Sequence, residues 1–415
     1  MRTEVPRKPF AEYAWHWASV TPSEGLINPP VFFGVLRAIS KCEGLRKSSD
    51  EVFAALKQVE SETADPRMRN PDLHLARDPA RNLFRNAGQY WQALGVMKPT
   101  VGKIELTKLG RDVAERKIPQ DEFIVATIRN LCLPNPHNSS PQELTKWEQA
   151  HLTLYPLRLL LEIIIELFDA EPTSGYITKD ELCRVIIPLA GSNASISDYV
   201  ESLLGFRMGS LDVSLWPNCI PGDNDHRSAA EFLQFLAFNE ILYLEEGSRE
   251  GDMKCKLLPE QYELVAAILE RAPEPGATIQ EDISAAVEDN LVSLVQRTKR
   301  VVQQLDRKGQ QKFRRKVIRA YGSRCVISNE TIPNVLVAAH IMHAKWGGSD
   351  EESNGIPLRS DLHILWDEGL LDIMPDGKIR RDSRLEVSPT YGSLPDNVAI
   401  PLQVRRSLEW RLKYQ

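Results

Sequence analysis

Between Lys308 and Leu371 the chain sets four polar residues into an otherwise apolar frame, at the spacing His340-x13-Asn354-x8-His363-x3-Asp367. His340 follows the strand-like run Val335-Leu336-Val337, and Asn354 lies in a polar loop rich in Gly and Ser. His363 opens a run with helical periodicity, and Asp367 follows one turn later. Residues at i and i+4 project from one helical face, so an imidazole and a carboxylate there can grip a single ion. Two protein donors leave positions open for water and for a phosphate oxygen. His340 arrives from a strand with no such partner beside it, which suits its imidazole to general-base work near neutral pH. Asn354 can bond backbone groups of the loop and so aim that base.

The frame around these positions is specific. It contains Ala338-Ala339-His340-Ile341, then Asn354-Gly355 with Leu358-Arg359, then Asp361-Leu362-His363 with Trp366-Asp367-Glu368-Gly369-Leu370. The lead-in carries Gly309-Gln310, Phe313-Arg314, Tyr321-Gly322 and Cys325. On these residues the last quarter of the chain resembles the HNH endonucleases that share an AAHI motif. The resemblance implies a ββα-metal nuclease, with His340 as general base, Asn354 as the loop-orienting residue, and His363 and Asp367 as metal ligands. It also implies a divalent cofactor, Mg²⁺ first, with Mn²⁺ or Ni²⁺ accepted. Two positions depart from the fuller pattern. Ala339 stands where many such enzymes place another ligand, and Cys325 is followed three residues later by Ser328 rather than by the second cysteine of a zinc knuckle.

At 415 residues and 42% hydrophobic, the chain exceeds what one core comfortably holds and predicts two or three domains. The apolar run from Leu157 to Phe168 is broken by Arg158, Glu162 and Glu166, which makes it an amphipathic core helix and not a membrane span. The N-terminus lacks a signal-like apolar region and the six cysteines are scattered, so a cytoplasmic setting is expected. Net charge is −6, yet eleven Lys/Arg fall between Arg297 and Arg324 against one acid, Asp306. That asymmetry, placed directly ahead of the candidate site, predicts phosphate contacts from Lys312, Arg314, Arg315 and Lys316, with Arg359 further on.

Upstream, one pattern occurs twice. Ser48-x-x-Glu51 reads as a helix-capping signature, Asn82 to Leu94 is helical in period, and Gly95-Val96-Met97 with Ile104-Glu105-Leu106 reads as a hairpin. Thr178-x-x-Glu181, Ala230 to Phe238, and the pair of runs at Ile241 to Leu244 and Lys254 to Leu258 repeat that order, with Pro259 opening the next helix. Helices followed by a hairpin suggest winged-helix modules. The copies differ in charge: residues 67–111 hold nine Lys/Arg against three acids, and 226–270 hold four against nine. The first copy is therefore the expected DNA reader, with Arg77, Arg81 and Arg85 four apart along one expected helix face. The aromatic group Phe10, Tyr13, Trp15 and Trp17 is expected to pack onto the next domain.

The expected architecture is mainly α with short β-hairpins: winged-helix-like modules over 1–140 and 141–272, a Pro/Gly/acid-rich linker over 273–295, and an HNH domain over 296–415. The expected function is metal-dependent hydrolysis of double-stranded DNA by a restriction or phage-defence endonuclease, acting as a homodimer and without membrane association. The competing expectation is a DNA-binding regulator whose HNH-like segment is degenerate and structural.

Overall fold

Helix α1 (Pro29–Ser40) opens on two prolines, whose missing N–H groups cost nothing in a first turn, and then buries Val31, Phe32, Phe33, Val35, Leu36 and Ile39. The computed structural model describes residues 5–16, 24–63, 73–245, 253–272, 279–286, 307–342, 348–349 and 351–414. The turn expected between Gly247 and Gly251 lies outside them, as do Trp17 and residues 287–306. After α1 comes the amphipathic α2 (Asp50–Thr63), which buries Val52, Leu56 and Val59. Its cap is one residue later than expected, because the Ser49 hydroxyl, not that of Ser48, accepts the Val52 N–H at 3.4 Å.

The hairpin expected at residues 95–106 is present, with Met97 bridged to Leu106 and Gly102 at φ +76° in the turn. It gains a third extended segment that the sequence did not announce. Residues 44–47 pair with it through Gly44 N–H to Ile104 O at 2.8 Å, Ile104 N–H to Leu45 O at 3.0 Å and Lys47 N–H to Gly102 O at 2.8 Å.

Arg77 and Arg81 do not lie on a helix. They belong to β1 (Ala76–Asp78) and β2 (Arg81–Asn82), an antiparallel pair ahead of α3 (Phe84–Ala93). The cause is local turn chemistry: Asp78 precedes Pro79, and its carboxylate accepts the N–H groups of Ala80 at 2.9 Å and Arg81 at 2.8 Å. That Asx-type turn overrides the four-residue spacing. The side chain of Arg85 is outside the described residues.

Helices α4 (Lys108–Ala114), α5 (Gln120–Asn130) and α6 (Pro141–Gln149) lead to α7 (Pro156–Ala170), which buries Leu157, Leu160, Leu161, Ile163, Ile164 and Leu167. A strand β3 (Tyr176–Thr178) and a helix α8 over 179–190 follow, the latter widened to a π turn at Leu182–Ile186. The expected capping box at Thr178 is formed, with Glu181 N–H donating to the Thr178 hydroxyl at 3.1 Å and Thr178 N–H donating to the Glu181 carboxylate at 2.8 Å. Then come α9 (Ile196–Arg207), α10 (Asp223–Phe238), β4 (Tyr243–Leu244), β5 (Lys254–Lys256) and α11 (Tyr262–Glu270), the last entered through Pro259. The antiparallel sheet runs β3-β5-β4, with Tyr176 and Tyr243 both opposite Lys256.

One apolar core extends from Tyr13 to Ile283 through both helical regions. Tyr13 donates its hydroxyl to the Ile187 carbonyl at 2.9 Å and Trp15 meets Phe232 edge-on at 5.6 Å, so these aromatics serve packing. Helix α12 (Ile279–Ala286) stands where composition suggests a linker. Ile279 and Ile283, one turn apart, enter the core beside α5, while Asp282 faces Arg129 at 3.7 Å and Arg271 at 3.8 Å.

A second core belongs to the C-terminal region. It is built from α13 (Arg307–Ala320), the antiparallel pair β6 (Leu336–His340) and β7 (Gly355–Arg359), α14 (Ser360–Asp367), the antiparallel pair β8 (Leu371–Ile373) and β9 (Ile379–Arg381), and α15 (Arg405–Tyr414). The fold is thus mainly helical with small antiparallel sheets. No helix among the described residues is long and apolar enough to cross a membrane.

Candidate active site

The β6–β7 register sets Leu336 opposite Arg359 and ends with His340 opposite Gly355. The candidate base therefore leaves the sheet beside Asn354. Asn354 is buried, and its amide closes the loop between them: Oδ1 accepts the Met342 N–H at 2.8 Å, and Nδ2 donates to the Met342 carbonyl at 2.7 Å and the Ser349 carbonyl at 2.9 Å. Its own carbonyl accepts the Ile341 N–H at 2.9 Å. A single amide thus satisfies backbone groups at both Met342 and Ser349.

Gly355 matters for closeness. A Cβ there would lie 2.4 Å from Val317 and 2.7 Å from Phe313, so only glycine lets α13 settle against the end of β7. That approach brings the Phe313 ring onto the His340 imidazole, with centroids 3.8 Å apart and planes 10° apart. The stack fixes the plane in which the imidazole nitrogens project.

Helix α14 packs on both strands and carries the remaining pair. Leu362 and Trp366 are buried, and on the neighbouring face His363 Nδ1 stands 3.3 Å from Asp367 Oδ2. Trp366 lies between them in sequence, is wholly buried, and donates Nε1–H to the His340 carbonyl at 3.4 Å. The helix stops at Gly369, which adopts φ +67°, a left-handed terminus suited to glycine.

Two donors 3.3 Å apart fit a shared divalent ion. Ligands at about 2.1 Å subtending a right angle stand roughly 3 Å apart. Among the described residues no group of three or more His, Cys, Asp or Glu is placed to hold an ion, and His363 and Asp367 stand as a pair of donors. Ala339 is fully buried in the core and supplies none. The buried sulfur of Cys325 accepts the N–H groups of Ser328 at 3.4 Å and Arg359 at 3.2 Å, which ties the turn after it to the end of β7.

The basic residues divide. Arg314 donates to the Pro333 carbonyl at 2.8 Å and the Leu336 carbonyl at 3.2 Å, which staples α13 to the start of β6. Arg359 is occupied by Asp361, with Nε and Nη2 at 2.6 and 2.7 Å from its two carboxylate oxygens. Burial alone would raise the Asp361 carboxyl, but Arg359 holds it below its usual range. Arg315, Lys316 and Arg319 are exposed along α13, Lys316 within 3.1 Å of Glu351. The side chain of Lys312 is outside the described residues, and Arg77 and Arg81 are exposed on the hairpin of the first helical region.

Sequence reasoning named Phe313 and Trp366 as parts of the frame but assigned them no role; they hold the ring and the main chain of His340. The available signal was their position: aromatic residues inside the frame, one before the base and one within the His363–Asp367 turn.

No curated protein matches the chain. Residues 325–374, which span His340, Asn354, His363 and Asp367, match the HNH endonuclease family, so this chain carries an HNH nuclease domain in its C-terminal region.

Proposed function

We propose that this protein is a divalent-metal-dependent DNA endonuclease in which the N-terminal helical regions select the site and the HNH domain cuts. The observation that carries this reading is that α14, which bears the His363 and Asp367 donors, is bonded through Trp366 to the main chain of the ring-stacked, strand-held His340, with all four residues inside the HNH-matched stretch. In it, His340 removes a proton from the attacking water through a ring nitrogen. Asn354 keeps the following loop closed so that the imidazole stays aimed. His363 and Asp367 would hold an ion of the Mg²⁺ class, with Mn²⁺ or Ni²⁺ as substitutes. When bound, such an ion supplies Lewis-acid stabilisation of charge on the phosphate and the leaving 3′ oxygen. Arg315, Lys316 and Arg319 present a positive edge to the DNA backbone.

Winged-helix-like modules over 1–140 and 141–272 are part of the proposal. The extended segments near 44–47, 97 and 102–106 flanking α2 and α3, and the β3-β5-β4 sheet around α8 to α10, support that reading. Arg77 and Arg81 then read DNA from a hairpin. A restriction or phage-defence role rests on the reader-plus-cutter architecture. One HNH site attacks one phosphodiester at a time, so a double-strand break calls for two copies, and a symmetric homodimer on a near-palindromic site is the simplest arrangement. Light scattering with and without DNA tests it.

The competing reading, a DNA-binding regulator with a structural HNH segment, draws on the two-donor set and on Ala339. Plasmid nicking decides between them: Mg²⁺-dependent conversion of supercoiled to open-circular DNA, lost in His340→Ala with the fold retained, is expected of the nuclease. A well-folded wild type that binds DNA yet never nicks it would leave the regulator.

A further inference from the structure

Asp372 on β8 is wholly buried and collects three guanidinium groups. Arg380 and Arg411 come from its own domain; Arg116 comes from just beyond α4 in the first helical region. Arg116 Nη1 reaches Asp372 Oδ2 at 2.7 Å, and Nη2 reaches the Arg411 carbonyl at 2.6 Å. Arg411 in turn lies over the Trp366 ring at 4.0 Å and donates to the Trp366 carbonyl. Trp366 occupies the turn that carries His363 and Asp367, and its indole holds the His340 carbonyl. A continuous set of contacts therefore runs from α4 to the main chain of the base and of the metal-binding helix.

We infer that Arg116 is a positioning residue for α14, one through which the first helical region holds the nuclease residues in register. The role rests on the nuclease reading above. Backbone geometry supports it: Arg116 has φ +61° at the left-handed position after a helix, where glycine is the default, so the position keeps an arginine against its conformational preference. Charge supports it as well. With Arg116 removed, Asp372 retains Arg380 and Arg411, so the buried carboxylate is not orphaned and what is lost is the tie that leads through Arg411 to Trp366. The rest of that interface stays, through Arg384 to Glu122 at 3.0 Å, Lys413 to Glu62 at 2.8 Å and Trp410 Nε1 to the Glu62 carbonyl at 2.8 Å.

The test compares full-length wild type, Arg116→Gln, Arg116→Lys and Lys413→Gln for plasmid-nicking kcat, the Mn²⁺ concentration for half-maximal cleavage, Mn²⁺ binding by electron paramagnetic resonance, and thermal unfolding. Arg116→Gln is expected to lower kcat by about ten- to a hundredfold and to weaken Mn²⁺ binding, since small misplacements of reacting groups have effects of that order. Arg116→Lys should fall between, because one ammonium cannot span both acceptors. Lys413→Gln, at the same interface but off the Trp366 route, should change only the unfolding temperature. If Arg116→Gln unfolds earlier but keeps wild-type kcat and Mn²⁺ requirement, the positioning role is wrong and the contact is only structural. Should that variant not fold, wild-type kcat and Mn²⁺ requirement in Arg116→Lys would overturn the role equally. A wild type that neither cuts nor binds Mn²⁺ overturns both this role and the nuclease reading, whereas an active wild type beside an unchanged Arg116→Gln overturns the positioning role alone.

Discussion

His340 lies flat on Phe313, ring centroids 3.8 Å apart, and the contact exists because Gly355 lets α13 descend onto the strand end. Phe313→Leu should keep most of the buried volume and lose the stacked plane. If His340 is the base, a fall in kcat with little change in KM for DNA is expected, because the ring packs on that imidazole. His340→Ala should lower turnover by about 10²–10⁴-fold, the usual contribution of a positioned general base, and leave DNA affinity intact. Single-turnover nicking and a binding titration measure the two separately.

Asn354 satisfies three backbone groups with one amide. Asn354→Asp keeps the shape but has no N–H to give the Met342 and Ser349 carbonyls. A loss of about 1–3 kcal/mol in stability is expected from buried acceptors left unpaired. Urea unfolding measures that loss, and cleavage should fall further than the unfolded fraction explains.

Metal removal separates folding from chemistry. Because the ion would rest on two side chains of one helix outside the apolar core, EDTA should abolish cleavage and leave the circular dichroism spectrum unchanged. Asp367→Ala should raise the Mg²⁺ needed for half-maximal rate by about tenfold or more. Robust cutting in excess EDTA would falsify the assignment of His363 and Asp367.

Arg77 and Arg81 stand exposed on the β1–β2 hairpin. If that hairpin meets DNA, each replacement by Gln should reduce the slope of log K against log salt by about one, with a similar loss on any sequence. Unchanged affinity and slope in the double variant would move the reading surface elsewhere.

Asp372 is expected to contribute to acid sensitivity. Burial would raise its carboxyl, but Arg116, Arg411 and Arg380 hold it far below the usual carboxylate range. A depressed folded-state pKa contributes stability that is fully present above the unfolded value of about 3.9 and is lost as pH falls toward the folded one. Asp372→Asn should therefore be about 3–5 kcal/mol less stable at pH 7, since it leaves buried guanidiniums without their counter-charge. The gap to wild type should be flat from pH 8 to 5 and narrow below about pH 4. Unfolding midpoints across that range provide the check.

What could be read without coordinates was local. The strand ending at His340, the loop around Asn354 and the turn joining His363 to Asp367 follow from residue spacing, because side-chain direction within a strand or a helix is set by its period. The capping box at Thr178 and the helix start at Pro259 were legible for the same reason, as each depends on neighbours within three residues. Even at short range, competition between local rules misled: Arg77, Arg81 and Arg85 have helical spacing, but Asp78 and Pro79 make a turn between the first two.

Contacts between distant stretches were decided only by tertiary structure. Residues 44–47 become a third extended segment because the hairpin at 97–106 offers them unpaired backbone groups, a fact no window of sequence contains. Ile279 and Ile283 look like part of an acidic linker until α5 supplies an apolar face for them. Arg116 and Asp372 are separated by 256 positions, and nothing near either residue signals the other. By itself the sequence determined which side chains are candidates for the proposed chemistry, since that depends on residue type and local period. Which other residues hold them in place was settled by packing, because the low dielectric of a shared interior couples charges and rings that are remote along the chain.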